Sequence, residues 1–107
     1  LLPLAAWPNL AFPAQTFTLP GEFWEHPRTG TAVLEQTALR QSVSALLAKP
    51  DSTLVIHYGS GEEALLRAEE LRAWLIALAV EAARIDVAGD LPGSGELRIE
   101  LTTKRGQ

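Results

Sequence analysis

The chain has 107 residues, a length that suits a single domain with one modest core. Its composition, 47% hydrophobic and 21% charged, is typical of a globular protein rather than a disordered one. The net charge of −4 argues against sequence-independent binding of nucleic acid, and the absence of cysteine excludes disulfides, thiolate metal sites and a cysteine nucleophile.

Residues 1–30 contain five of the seven prolines, which fix φ and lack an amide donor, so long regular elements are not expected there. We predict an irregular, proline-rich arm over 1–14 and a short strand over 15–19. The sequence has no methionine, so we expect a fragment or processed form of a longer precursor. Residues 1–6 are compatible with the end of a targeting segment, although they lack its basic start.

Large aromatic side chains are concentrated in this part of the chain: Trp7, Phe12, Phe23 and Trp24. One interpretation is that they pack over the edge of the core, because large rings bury much surface per residue. The other is an exposed interaction surface for a partner chain, with Phe23 and Trp24 among its residues.

A helix is predicted over 32–49. Leu39, Val43 and Leu46 recur at the helical period and form one apolar stripe. Pro50 then stops the helix, because proline cannot continue the hydrogen-bond ladder.

A β-branched strand is predicted over 53–58, and it points His57 to the face opposite Tyr58. We expect His57 to be a packed or edge residue, since a general base needs partners that the sequence does not show. His26 is the only other histidine, so no pair at i, i+4 exists and no metal or cofactor is predicted.

A second helix is predicted over 61–80, where Ser60 and Glu63 match a capping box just before an apolar run. The last two turns of this helix are apolar all round, which requires cover on more than one side. Trp74 and Ile76 lie off the main apolar stripe. They need cover from the proline-rich arm or from another chain, and they complete the predicted interaction surface.

The end of the chain alternates strictly between apolar and polar residues over 97–101 and predicts a half-buried strand. Another strand can start within 84–88. We predict a domain over 15–101 and a flexible tail over 102–107. The predicted core consists of the apolar side chains that these patterns place inward: Leu39, Val43, Leu46, Leu54, Ile56, Ala68, Leu71, Leu75, Leu78 and Ile99.

This order of elements predicts an α+β fold, a two-layer β-α-β-α-β sandwich with two helices packed on one face of a small mixed sheet. The β-α-β crossovers are expected to be right-handed.

The stretch 54–85 resembles the C-terminal OmpA-like domain, which associates with peptidoglycan in the bacterial cell envelope. Arg67-Ala68 corresponds to the Arg-Ala pair of that family's Asn-x-x-Leu-Ser-x-x-Arg-Ala segment. Ala79-Val80 stands where the family has Gly-Val, and Arg84-Ile85 would open the next strand. The resemblance implies the same sandwich fold over 15–101 and a periplasmic or outer-membrane location.

The departures from the family concern its ligand site. A loop aspartate and a helix arginine of the family hold the amine and carboxylate of the diamino acid in peptidoglycan stems. Here the loop is short, no aspartate stands between Asp51 and Asp86, and Ser60 takes the asparagine place. A retained site would use Arg67, Ser60 and Glu63, although an acid in the first turn is also explained by the helix dipole.

Three functions remain open. The first, which the missing aspartate favours, is a non-enzymatic envelope domain that binds a partner protein and has lost peptidoglycan binding. The second is a peptidoglycan anchor that uses Arg67. The third is a small enzyme built around Ser60 and His57. For the first, we expect Arg67 to pair with Glu63 or Glu70 on the helix surface, with no aspartate facing it.

Overall fold

The computed structural model describes residues 15–93 and 95–103. Within these ranges it contains four strands and three α-helices: β1 Gln15–Leu19, α1 Gly30–Leu34, α2 Thr37–Ala48, β2 Ser52–His57, α3 Glu62–Ala77, β3 Ile85–Ala88 and β4 Leu97–Thr103. Short 3-10 turns at Gly21–Glu25 and Ala82–Arg84 lie between these elements. The predicted arm over 1–14 lies outside the described residues.

The strands form one mixed sheet in the order β1-β4-β2-β3. β4 runs antiparallel to both β1 and β2, whereas β2 and β3 are parallel and are connected through α3. The predicted α+β class is therefore confirmed, with the helices and the small sheet consistent with a two-layer sandwich.

The core lies between the sheet and the helices. Leu54 and Ile56 of β2 stand opposite Leu101 and Ile99 of β4, and all four side chains are buried. Alternate residues of a strand point to opposite faces, so this register leaves the polar side chains of β4 on the other face of the sheet. The predicted core is confirmed apart from Val43 and Leu78, which are only half-buried: every other predicted member is buried.

The predicted helix over 32–49 is in fact two helices. Gln36, with φ −79° and ψ 114°, leaves the helical conformation between α1 and α2. Its carbonyl accepts hydrogen bonds from the amides of Leu39 and Arg40 and so starts α2. The first helix begins earlier than predicted, because the hydroxyl of Thr29 accepts the amide hydrogen of Ala32 as an N-cap.

Two other boundaries differ from the prediction. β4 extends to Thr103, so residues 102–103 belong to the sheet and not to the predicted flexible tail. The remaining residues, 104–107, lie outside the described part. α3 ends at Ala77 and not at residue 80, because Ala79 adopts a positive φ of 78°.

Candidate functional site

Arg67 lies in the second turn of α3, and its guanidinium contacts two other side chains. Its Nη2 donates to Glu63 Oε2 at 3.0 Å, one helical turn back, as predicted. Its guanidinium carbon also lies 5.7 Å from the centroid of the Trp24 ring. Within the described residues, the hydrogen-bond and ring partners of Arg67 are these two side chains, and neither is an aspartate.

Phe23 and Trp24 are buried, so the prediction that they form an exposed interaction surface is wrong. Their exposed fractions are 5% and 7%, and the rings meet edge to face with centroids 4.9 Å apart. The 3-10 turn Gly21–Glu25 presents both rings to the core in succession. They therefore supply hydrophobic burial, which is the first of the two interpretations made from the sequence.

Trp74 is half-buried. Glu70, one turn before it on α3, binds Arg28, which follows the 3-10 turn Gly21–Glu25. Arg28 donates from Nε and Nη2 to the two carboxylate oxygens of Glu70, at 2.8 and 3.1 Å. Trp74 Nε1 donates to the same carboxylate at 3.2 Å. The hydrogen bond from Arg28 lowers the pKa of Glu70, against an opposing effect of burial. Trp7 and Phe12, also predicted to cover this helix, lie outside the described residues.

Ile76, in contrast, faces outward with 39% of its surface exposed. Leu65 and Leu66 are also exposed, and like Ile76 they lie outside the stripe that buries Leu71 and Leu75. This set of Leu65, Leu66 and Ile76 is the outer apolar surface of α3.

The predicted capping box at the start of α3 is not formed. The N-cap is Gly61, with φ 104° and no side-chain cap, so the helix starts one residue later than a capping box on Ser60 requires. The Ser60 hydroxyl instead donates to the carbonyl of Gly93 at 3.3 Å, and the Ser60 amide donates to the same oxygen at 2.8 Å. Glu63 is turned to Arg67. Ser60 therefore connects α3 with the loop between β3 and β4.

A charged cluster around His57 was not predicted as a unit. His57 Nδ1 lies 2.7 Å from Asp90 Oδ1, and Nε2 lies 2.8 Å from Glu100 Oε1. Burial lowers the pKa of His57, but the hydrogen bonds and charges of the two carboxylates outweigh it, so the pKa is raised above its usual value. Alternation along β2 and β4 indicates that His57 and Glu100 share a face, whereas nothing in the sequence indicates that Asp90 reaches them.

The same cluster lines a hollow of about 280 Å³ on the open face of the sheet, together with Thr16, Leu91 and Arg98. Both nitrogens of His57 are hydrogen-bonded to carboxylates, and the Ser60 hydroxyl bonds a backbone carbonyl. The serine and histidine considered for an enzyme are therefore not brought together as a nucleophile and its base.

No protein-family model and no curated protein matches this chain. Within residues 15–93 and 95–103, no cluster of three or more histidine or carboxylate side chains is arranged to hold a metal ion. None of the helices in the same ranges has the length and apolar composition needed to cross a bilayer.

Proposed function

We propose that the chain is a non-enzymatic, OmpA-like domain of the bacterial cell envelope that binds a partner protein and has lost peptidoglycan binding. In this role the domain lies in the periplasm or at the outer membrane. The observation that carries it is the position of Arg67, whose charge is paired with Glu63 and lies near the ring of Trp24.

The end of α3 supports the resemblance. Ala79 has the positive φ of 78° that favours glycine, and the amide of Val80 donates to the carbonyl of Leu75 at 3.0 Å. These are the features of a Schellman motif, which usually has glycine at the left-handed position. The family pattern has Gly-Val where this chain has Ala79-Val80. The backbone at Ala79 therefore has the left-handed conformation that the family's glycine favours at this position.

The surroundings of Arg67 argue against a retained ligand site. A site for a zwitterionic ligand needs a free arginine fork for the carboxylate and a nearby acid for the ammonium group. Arg67 is instead paired within its own helix, and Ser60, which takes the place of the family's asparagine, is bonded to Gly93. The third residue proposed for such a site, Glu63, is the pairing partner itself.

The outer apolar surface of α3 is the part of the chain that we propose for the partner protein. It carries three of the large apolar side chains that remain exposed in the described residues: Leu65, Leu66 and Ile76. The proposed partner presents an apolar strip, such as one face of an amphipathic helix, flanked by polar groups that meet Glu69 and Arg72, which lie between Leu65 and Ile76 at helical spacing.

Sedimentation with purified sacculi tests the loss of peptidoglycan binding. The wild-type chain is expected to stay in the supernatant, as are Arg67→Ala and a matched control, Arg72→Ala, on the same helix. Retention of the wild type and the control but not of Arg67→Ala would restore the peptidoglycan anchor as the function.

Site-specific photo-cross-linking in envelopes of the source organism tests the partner surface. A photoreactive residue at Leu66 is expected to give one discrete adduct with a protein that mass spectrometry can identify. The same residue at Thr18, on the opposite face of the sheet, is expected to give none. Equal adducts at both positions, or none at Leu66, would contradict the proposed surface.

A further inference from the structure

Asp90, His57 and Glu100 form a chain of two hydrogen bonds across the open face of the sheet, which we call the clasp. Glu100 stands on β4 diagonally from His57, since the register pairs His57 with Arg98 and Val55 with Glu100. Asp90 lies two residues beyond Ala88, the partner of His57 on β3. The clasp therefore connects the chain that leaves β3 with the two central strands.

The clasp needs a protonated histidine. Ionised carboxylates only accept hydrogen bonds, and His57 has one of them at each ring nitrogen, at 2.7 and 2.8 Å. Imidazolium donates from both nitrogens and satisfies both partners. Neutral imidazole donates from one nitrogen only, so a lone pair would then face a carboxylate oxygen at hydrogen-bond distance.

We propose that the clasp is a pH-dependent latch that fastens residues 89–91 to the sheet while His57 is protonated and releases Asp90 when His57 loses its proton. Asp90 is the partner that leaves, because 56% of its side chain is exposed, compared with 29% for Glu100. Glu100 is also held in β4, which is paired with strands on both sides.

The other charged groups on this face do not replace the histidine. Arg98 lines the same hollow but is paired with Glu96 at 3.5 Å. β1 contributes the neutral Thr16 to the hollow. Asp86 of β3 lies on the same face opposite Val55, and as an acid it favours the protonated form of His57. Because the pKa of His57 is raised, the hydrogen bond to Asp90 is kept to a higher pH than an ordinary histidine would allow.

Two nuclear magnetic resonance measurements on the whole chain test the latch. The first follows the Cε1 proton of His57 against pH. The second follows the amide protection factor of Leu91, which donates to the carbonyl of Tyr58 at 3.0 Å, after correction for intrinsic exchange. We expect His57 to titrate above the ordinary histidine value of 6.5, and the protection factor to fall roughly two- to fivefold over that titration, as for a partly exposed charge pair.

Variants separate the latch from a general effect of pH. Asp90→Asn should lower the pKa of His57, and His57→Gln should make the protection of Leu91 independent of pH. His26→Gln should behave like the wild type. If Leu91 keeps the same protection factor throughout the titration of His57, or if the His57→Gln variant shows the same fall as the wild type, the latch is wrong.

Discussion

The guanidinium of Arg84 closes the C-terminal end of α2 from a distant place in the chain. It donates from Nη2 to the carbonyls of Leu46 and Lys49, at 3.1 and 2.9 Å, and from Nε to the carbonyl of Ser52 at 3.1 Å. The carbonyl of Leu46 lies in the last turn of α2 and also accepts the amide hydrogen of Lys49, and the carbonyl of Lys49 also accepts the amide hydrogen of Ser52. A cation with several donors is favourable beside such a cluster of carbonyls at the C-terminal end of a helix.

Removal of this cap should destabilise the fold. We expect Arg84→Ala to lower the free energy of unfolding by about 1–3 kcal/mol, the range for hydrogen bonds to charged groups. Arg84→Lys should recover only part of the loss, because an ammonium group lacks the planar fork. Urea unfolding measures both, with Arg72→Ala as the control. An Arg84→Ala variant as stable as Arg72→Ala would exclude this capping role.

Ala79 is the second residue whose effect can be predicted from local geometry. A side chain at φ 78° is strained, and glycine would relieve that strain while increasing the entropy of the unfolded chain. We expect Ala79→Gly to raise stability by up to about 1 kcal/mol. Ala73→Gly, in the interior of α3 one turn before its end, should instead lower it by about 1 kcal/mol. Thermal unfolding distinguishes the two, and a loss of stability in both variants would contradict the assigned conformation of Ala79.

At the scale of elements, α3 has one face that carries stability and one that does not. Leu71 is fully buried, whereas Leu66 is 60% exposed on the same helix. We expect Leu71→Ala to cost roughly 2–5 kcal/mol and Leu66→Ala to change stability by less than about 0.5 kcal/mol. Chemical denaturation of the two variants makes the comparison. Similar losses in both would mean that the outer apolar surface of α3 is covered in solution.

The elements differ in how far the sequence predicts them. The sequence predicts β2 and α3 because apolar residues recur every second residue in the strand and about every 3.6 residues in the helix, which marks the side that is buried. The break at Gln36 has no proline or glycine beside it, so a continuous apolar stripe hides it. The clasp is less predictable still, because Asp90 and His57 are 33 residues apart and meet only through the sheet register.

The candidate ligand site was predicted in part. The pairing of Arg67 with Glu63 follows from helical spacing alone and is confirmed. The failure of Ser60 as a cap was not predictable, since it depends on the positive φ of Gly61 and on the carbonyl of Gly93. Long-range backbone contacts of this kind leave no local pattern in the sequence.

At the scale of the whole molecule, each layer contains an ionisable group whose pKa shift links folding to pH. Glu70 lies on the helix layer, and Arg28 lowers its pKa below its ordinary value of 4.5. The stability that this carboxylate adds to the folded state is fully present above pH 4.5 and is lost as pH falls through the lowered pKa. His57 lies on the open face of the sheet, with a pKa raised above its ordinary value of 6.5. Its contribution is fully present below 6.5 and is lost as pH rises through the raised pKa.

Both contributions are complete only between the two ordinary values, so these groups should give a stability plateau between pH 4.5 and 6.5. Midpoints of urea unfolding measured across the pH range test this. His57→Gln should flatten the decline on the alkaline side and leave the acid side unchanged, and Glu70→Gln should do the reverse. His26→Gln should retain both declines, because its exposed imidazole makes no hydrogen bond within the described residues. A wild-type profile whose alkaline decline persists in His57→Gln would assign that decline to other groups and remove the histidine from the pH response of the fold.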